Sequence, residues 1–173
     1  MAGPVETTGP VVTPPSVASE SEVPAVTFDS TVSSPTTGAE PATGDVTGFG
    51  IGQVELDGET LLVAVADRSE LRRRGLMEVS DLGELDGMLF VMDETVNSAF
   101  TMRNTLIPLH IAFFAESGEL VDVLEMTPCA EEPCPTYRPD GRYHYALEVP
   151  LGAFDELDDA ARISVEDLGQ GVG

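Results

Sequence analysis

Few side chains in this chain have chemistry to offer. Cys129 and Cys134 are its only cysteines, and His110 and His144 its only histidines. A disulfide between the cysteines would close a short loop carrying Pro133, which the chain-entropy model credits with about 2 kcal/mol. Zinc uses ligand pairs at this spacing too. A four-ligand site, however, would consume nearly every Cys and His, taking Cys129, Cys134 and His110 or His144 or both. Free thiols are the third possibility. The even count favours the disulfide, so no metal is assigned. A glycine-rich phosphate loop, a dinucleotide fingerprint and a metal-binding helix motif are all missing, and no cofactor is expected.

Among the polar residues, Phe100-Thr101-Met102-Arg103-Asn104-Thr105 is the most informative run. If extended, it places Asn104 on an otherwise apolar face, where an unsatisfied buried amide costs roughly 1–3 kcal/mol. Such an amide either fixes a neighbouring loop or, with Arg103 and Thr105, forms the rim of a ligand pocket. Arg72-Arg73-Arg74 closes a short helix, where cations complement the dipole. Arg74 is expected to reach a carboxylate across the fold, Glu148 being the candidate. His144 and Glu148 share a strand face but stand too far apart for a direct hydrogen bond at ~3.3 Å rise per residue. No nucleophile elbow accompanies them, so no catalytic residue is assigned.

The elements that must carry these residues are short and separated by tight turns. Gly50 to Glu55 and Thr60 to Ala66 flank Asp57-Gly58, a hairpin signal. Asp67 and Glu70 have the spacing of a capping box for a helix over Arg68 to Arg74 that ends at Gly75. Met88 to Met92 reads as a buried strand, and Leu106 to Phe114 as a strand apolar on both faces. Ser117-Gly118 turns the chain into Leu120 to Met126. In the strand from Tyr143 to Val149, Tyr143, Tyr145, Leu147 and Val149 should share one face, and His144, Ala146 and Glu148 the other. A helical turn near Ala153 to Leu157 leads to a last strand, Arg162 to Val165. This pattern specifies a mainly β domain, a small closed or strongly curved antiparallel β-barrel-like sheet with one or two short helices.

Residues 1–47 contain one aromatic, Phe28, and no base, and are built largely of Pro, Ser, Thr, Val, Gly, Ala and Glu. Such a segment cannot bury enough apolar surface to offset its ordering entropy, and its prolines keep it extended. The expected organisation is a disordered tether over 1–47, a single β-rich domain over 48–168 and a flexible tail over 169–173. Met1-Ala2-Gly3-Pro4 has neither the basic nor the apolar region of a signal peptide. A tether of this composition suits a chain whose export signal or lipid anchor has been removed, so an extracytoplasmic location is expected, secreted or anchored to the envelope. The acids number 31 and the bases 8, all Arg, for a net charge of −23. That balance argues against gripping a phosphate backbone, so no nucleic-acid partner is expected. No apolar run is long enough to span a membrane.

Several motifs follow one another in order: Arg74-Gly75-Leu76-Met77, Gly87-Met88-Leu89-Phe90, the block from Phe100 to Leu109, Pro128-Cys129, Pro133-Cys134-Pro135, and Tyr145-Ala146-Leu147-Glu148-Val149-Pro150. Together they resemble the family called domain of unknown function 192, over roughly Val54 to Val165. The resemblance implies a compact β-barrel-like fold, often exported, with no established activity. One position departs from the family pattern: His110 stands where Asp is usual after Pro-Leu. If that Asp serves chemistry, this chain has changed the group; if it only ties down a turn, His110 can do the same. The reading that follows is an uncharacterised extracytoplasmic binding or interaction module, its partner a small molecule or an envelope protein. The candidate ligand residues are Arg74, Arg103, Asn104, Thr105 and Glu148. The alternative is a small hydrolase- or lyase-like envelope enzyme with a polar pocket around Arg74, Asn104 and Glu148.

Overall fold

The computed structural model of the chain describes residues 46–155 and 157–168. Most of the expected tether and all of the expected C-terminal tail lie outside the described residues. Val46 is buried in the main core and the Thr47 carbonyl accepts a hydrogen bond from Arg74, so packing begins at least at Val46.

The fold is mainly β, a curled seven-stranded half-barrel with one short helix. The strands are β1 (Gly50–Leu56), β2 (Glu59–Ala66), β3 (Gly87–Val96), β4 (Phe100–Thr101), β5 (Leu109–Phe114), β6 (Leu120–Met126), β7 (Thr136–Tyr137), β8 (Tyr143–Pro150) and β9 (Ile163–Asp167); the helix is α1 (Ser69–Arg74). The large sheet runs β6-β5-β8-β3-β2-β1-β9, while β4 and β7 form a separate pair. Between the two edge strands, a bridge at Glu119 and Arg162 and the Leu120–Ala161 and Ile163–Gly118 backbone bonds draw one end of the sheet together. The sheet is therefore strongly curved rather than fully closed.

Local chemistry accounts for the turns. Asp57 and Gly58 both have positive φ, 50° and 85°, the geometry whose twist matches a two-residue hairpin. Gly75 ends α1 with φ 48° and donates to the Leu71 carbonyl. The start of the helix differs from the capping-box expectation. Its N-cap is Arg68 and no side chain caps it. The Asp67 carboxylate instead pairs with Arg68, and the Asp67 carbonyl accepts from Arg72.

Three further features depart from the sequence pattern. β2 and β3 are parallel, Val63 pairing with Gly87 through Ala66 with Phe90, because the segment holding α1 returns the chain to the same end of the sheet. β5 begins at Leu109 rather than Leu106, following Pro108, which has no N–H to give a ladder. The alternation in β8 breaks at an irregularity opposite Val91 to Val96. Tyr143 consequently packs with Phe113 and Ala146 on one face, while Leu147 and Val149 lie on the other with Tyr145 against them. The turn after β8 contains no helix among the described residues.

Both faces of the central strands are covered. Met88, Phe90, Ile111, Phe113 and Ala146 belong to one core, and Leu89, Ala112, Phe114, Leu147 and Val149 to the second. Gly87 is required where β3 meets β8: a Cβ there would lie 2.1 Å from the Glu148 carbonyl oxygen and 2.9 Å from Val149 Cγ1. Since neither backbone can yield without disturbing the ladder, Gly87→Ala should destabilise the domain by about 3 kcal/mol. Urea unfolding measures this, and a loss under about 0.5 kcal/mol would contradict the register.

Candidate functional site

β8 is hydrogen-bonded on both sides, and Glu148 stands opposite Met88 of β3 and Ile111 of β5. Both neighbours belong to the first core, so the carboxyl is carried onto an apolar face and is only 5% exposed. It has no ion pair or hydrogen bond among the described residues. Burial alone pushes its pKa up from 4.5 to about 8, because desolvation penalises the charged form. Near neutrality Glu148 is a carboxylic acid, able to donate one hydrogen bond and accept others.

That acid lines a cavity of about 460 Å³. Leu76, Met77, Phe90, Met92, Ala99 and Phe100 supply its apolar wall, Thr101 and Thr105 add hydroxyls, and Arg72, Arg73 and Arg74 bring cations from the last turn of α1. The aromatic part of the wall is fixed by edge-on contacts of Phe100 with Phe90 and Phe113, at centroid distances of 5.0 and 5.7 Å. Ser98, also lining the cavity, hydrogen-bonds the Tyr143 hydroxyl at 2.7 Å. Burial raises the Tyr143 pKa, partly offset by the Ser98 bond and by Arg138.

The three arginines are not equivalent. Arg72 donates to the carbonyls of Asp67 and Val91, both at 2.7 Å, and pairs with Asp93, which clamps α1 onto β3. Arg74 donates to the Thr47 carbonyl and lies 4.1 Å above the Phe49 ring. The expected Arg74–Glu148 pair does not form; Arg74 is drawn toward the start of the domain instead. Arg73 is exposed and has no partner among the described residues.

Of the five expected ligand residues, the structure brings Arg74, Thr105 and Glu148 to one cavity, and Arg103 and Asn104 are not among its lining. Arg103 pairs with Glu132 at 3.2 Å. Asn104 has φ 55° and is exposed, so its amide never enters the apolar face expected for an extended segment. Its role is conformational: Asn tolerates left-handed backbone better than most residues, and the turn lets its N–H reach Cys129 and its carbonyl accept from Glu78. Arg73, Phe90, Met92 and Phe100 were not anticipated as site residues. Only the unbroken Arg72-Arg73-Arg74 run held a hint, since a helix end explains two of the three.

Cys129 and Cys134 have their sulfurs 2.12 Å apart, at disulfide distance. Cys129 exchanges backbone bonds with Met102 and Asn104, and Thr136 and Tyr137 pair with Thr101 and Phe100. The cysteine loop thus braces the strand that forms one cavity wall. His110 is 3% exposed. Its Nδ1 accepts the Phe154 N–H at 3.3 Å, and its ring stacks on Phe154. It ties down the turn after β8, as expected if the usual Asp serves a turn. The His144 ring packs edge-on against Tyr145, and its Nδ1 is buried without a hydrogen-bond partner among the described residues. No cluster of metal-ligating side chains occurs among the described residues.

Comparison with known proteins gives the fold relatives but no activity. The family model of DUF192, described as "Uncharacterized ACR", matches residues 52–164. The chain is similar to the crystal structure of a proposed transcription regulator from Sinorhizobium meliloti 1021, with 26% identity and a TM-score of 0.60 over 68% of this chain and 95% of that one. It is also similar to a protein of unknown function from Novosphingobium aromaticivorans DSM 12444, with 25% identity and a TM-score of 0.62 over 73% of this chain and 93% of that one. No curated protein matches it.

Asn104 provides a direct test of the turn. Asn104→Gly should leave stability within about 0.5 kcal/mol, whereas Asn104→Ala should cost about 1 kcal/mol by straining the left-handed backbone. Chemical denaturation of both variants checks this. An equal loss of several kcal/mol in the two would mean that the amide itself is a buried structural group.

Proposed function

Since the chain belongs to the DUF192 family, for which no activity is known, we propose its function from the cavity: it is an extracytoplasmic binding module that takes a small molecule between α1, β3, β4 and β8. The observation that carries this reading is Glu148, a buried acid without a partner, placed on the wall of a largely apolar cavity. Burying an unpartnered carboxyl costs stability, and stability is commonly given up where a site needs a group poised for a ligand. The cavity size falls within the ordinary range of small-molecule sites. A disulfide-distance cysteine pair supports an oxidising compartment, and the composition of residues 1–47 supports a tether that holds the domain away from an anchor.

The enzymatic alternative receives less support. Asn104, one of its three residues, is exposed away from the cavity, and the remaining pair of Arg74 and Glu148 is not in contact. The Sinorhizobium relative's description is not carried over either, because 31 acids against 8 bases disfavour phosphate contacts.

Two variants test the reading. Glu148→Leu breaks no bond, so it should leave the domain as stable as the wild type or more so. In a thermal-shift screen of small molecules, compounds that raise the wild-type Tm should leave the Glu148→Leu Tm unmoved. Retained shifts would remove Glu148 from the site. A stability loss beyond about 1 kcal/mol in Glu148→Leu would make it a structural residue.

Glu148→Gln isolates the proton. Because the folded carboxyl titrates near 8 and its ordinary value is 4.5, the folded state holds an extra proton between these values. Its contribution to stability is therefore fully present below about pH 4.5 and is lost as pH rises toward about 8. Relative to Glu148→Gln, the wild type should lose stability across that window and run parallel to it above. Denaturant unfolding at several pH values measures the difference. Profiles parallel throughout would show an ordinary carboxylate.

A further inference from the structure

Charge is distributed unevenly on this molecule in a way that specifies what the cavity admits. The chain is rich in acids, 31 in all, yet among the described residues Glu148 is the only acid lining the cavity. Three of its 8 bases, Arg72, Arg73 and Arg74, line the same cavity. Helix geometry explains part of this, since cations at a C-terminus offset the dipole. Internal pairing uses Arg72 and Arg74, through Asp93, the Val91 carbonyl, the Thr47 carbonyl and the Phe49 ring. Internal pairing leaves the guanidinium of Arg73 unused, exposed at the cavity with no partner among the described residues.

We propose that the ligand is an amphiphilic anion whose apolar body packs against Phe90, Met92 and Phe100, whose negative head meets Arg73, and whose hydrogen-bonding atom reaches Glu148. This rests on the cavity being the ligand site, as proposed above. A guanidinium fork suits a carboxylate, sulfonate or phosphate group. The arginines favour an anion over a cation by direct Coulomb interaction, which acts over a shorter range than the chain's net negative charge can cancel in salt. Glu148, kept as the neutral acid by its surroundings, adds a donor without adding repulsion. A cationic ligand would face the three guanidiniums and would need Glu148 ionised in an apolar setting.

Two fluorescent probes with the same aromatic body separate the head from the body: anilinonaphthalene sulfonate and the uncharged N-phenylnaphthylamine. Each is titrated against the full chain, Arg73→Gln, and Thr101→Trp, the last placing an indole in the cavity wall. The sulfonate should bind the wild type about tenfold more tightly than the uncharged probe, and Arg73→Gln should remove most of that advantage while leaving the uncharged probe within about twofold. Thr101→Trp should weaken both. Equal affinities in the wild type, or no effect of Arg73→Gln on the sulfonate, would overturn the anion inference. If both probes then still lost affinity in Thr101→Trp, the cavity would stand as a binding site with a different ligand class. If Thr101→Trp changed neither, or neither probe bound, the inference would fail, and binding elsewhere would remove the support for the cavity as well.

Discussion

The face on which a β8 side chain lies is decided twice, once by the ladder to β5 and once by the ladder to β3. A residue in such a strand cannot turn its side chain to the other face without breaking both, because the side-chain period is two. Glu148 is held in that position, flanked by Leu147 and Val149 on the opposite face. It also has no length to snorkel with, unlike Lys or Arg. The close approach at Gly87 tightens the constraint, since the β3 backbone passes where any Cβ would meet the Glu148 carbonyl. The unfavourable burial of the acid is therefore imposed by the sheet, which sets it on the wall of the cavity.

The parallel β2–β3 connection supplies the other half of the site. A chain returning to pair in parallel must cross over, and α1 lies in that crossover, with its C-terminal end directed at the cavity. Arg72 fixes its position by bonding back to Asp67 and forward to Val91 and Asp93 on the next strand. One arginine holds the helix, a second secures Thr47 and Phe49, and the third is exposed at the cavity. On the opposite wall, Phe100 and Thr101 pair with Tyr137 and Thr136, and Met102 and Asn104 exchange backbone bonds with Cys129 of the Cys129–Cys134 loop.

What the sequence made legible was local. Asp57-Gly58, Gly75 and Ser117-Gly118 announce their turns because each requires or favours positive φ, and alternation between them marks the strands. Residue chemistry pointed to Arg74, Thr105 and Glu148, which the structure does bring to one cavity. Long-range effects were not legible. The parallel pairing of β2 with β3 depends on where a twenty-residue crossover returns, and the displacement of Tyr143 depends on an irregularity that no pattern within β8 contains. Asn104 misled because an extended reading puts it on an apolar face, whereas one residue in left-handed conformation takes it out to solvent. The Arg74–Glu148 pairing failed for a related reason: complementary charge says that a pair is possible, and only the fold says which atoms are nearest.

The central claim is that Glu148 is a neutral acid at the cavity when the protein is at neutral pH. The most direct measurement is a carbon-detected NMR titration of the side-chain carboxyls in the full chain, with the Glu148 resonance assigned by its loss in Glu148→Gln. The account predicts a midpoint near 8 for that carbon, well apart from the other carboxyls. A midpoint in the ordinary glutamate range, near about 4.3, would show a solvated carboxylate and contradict it.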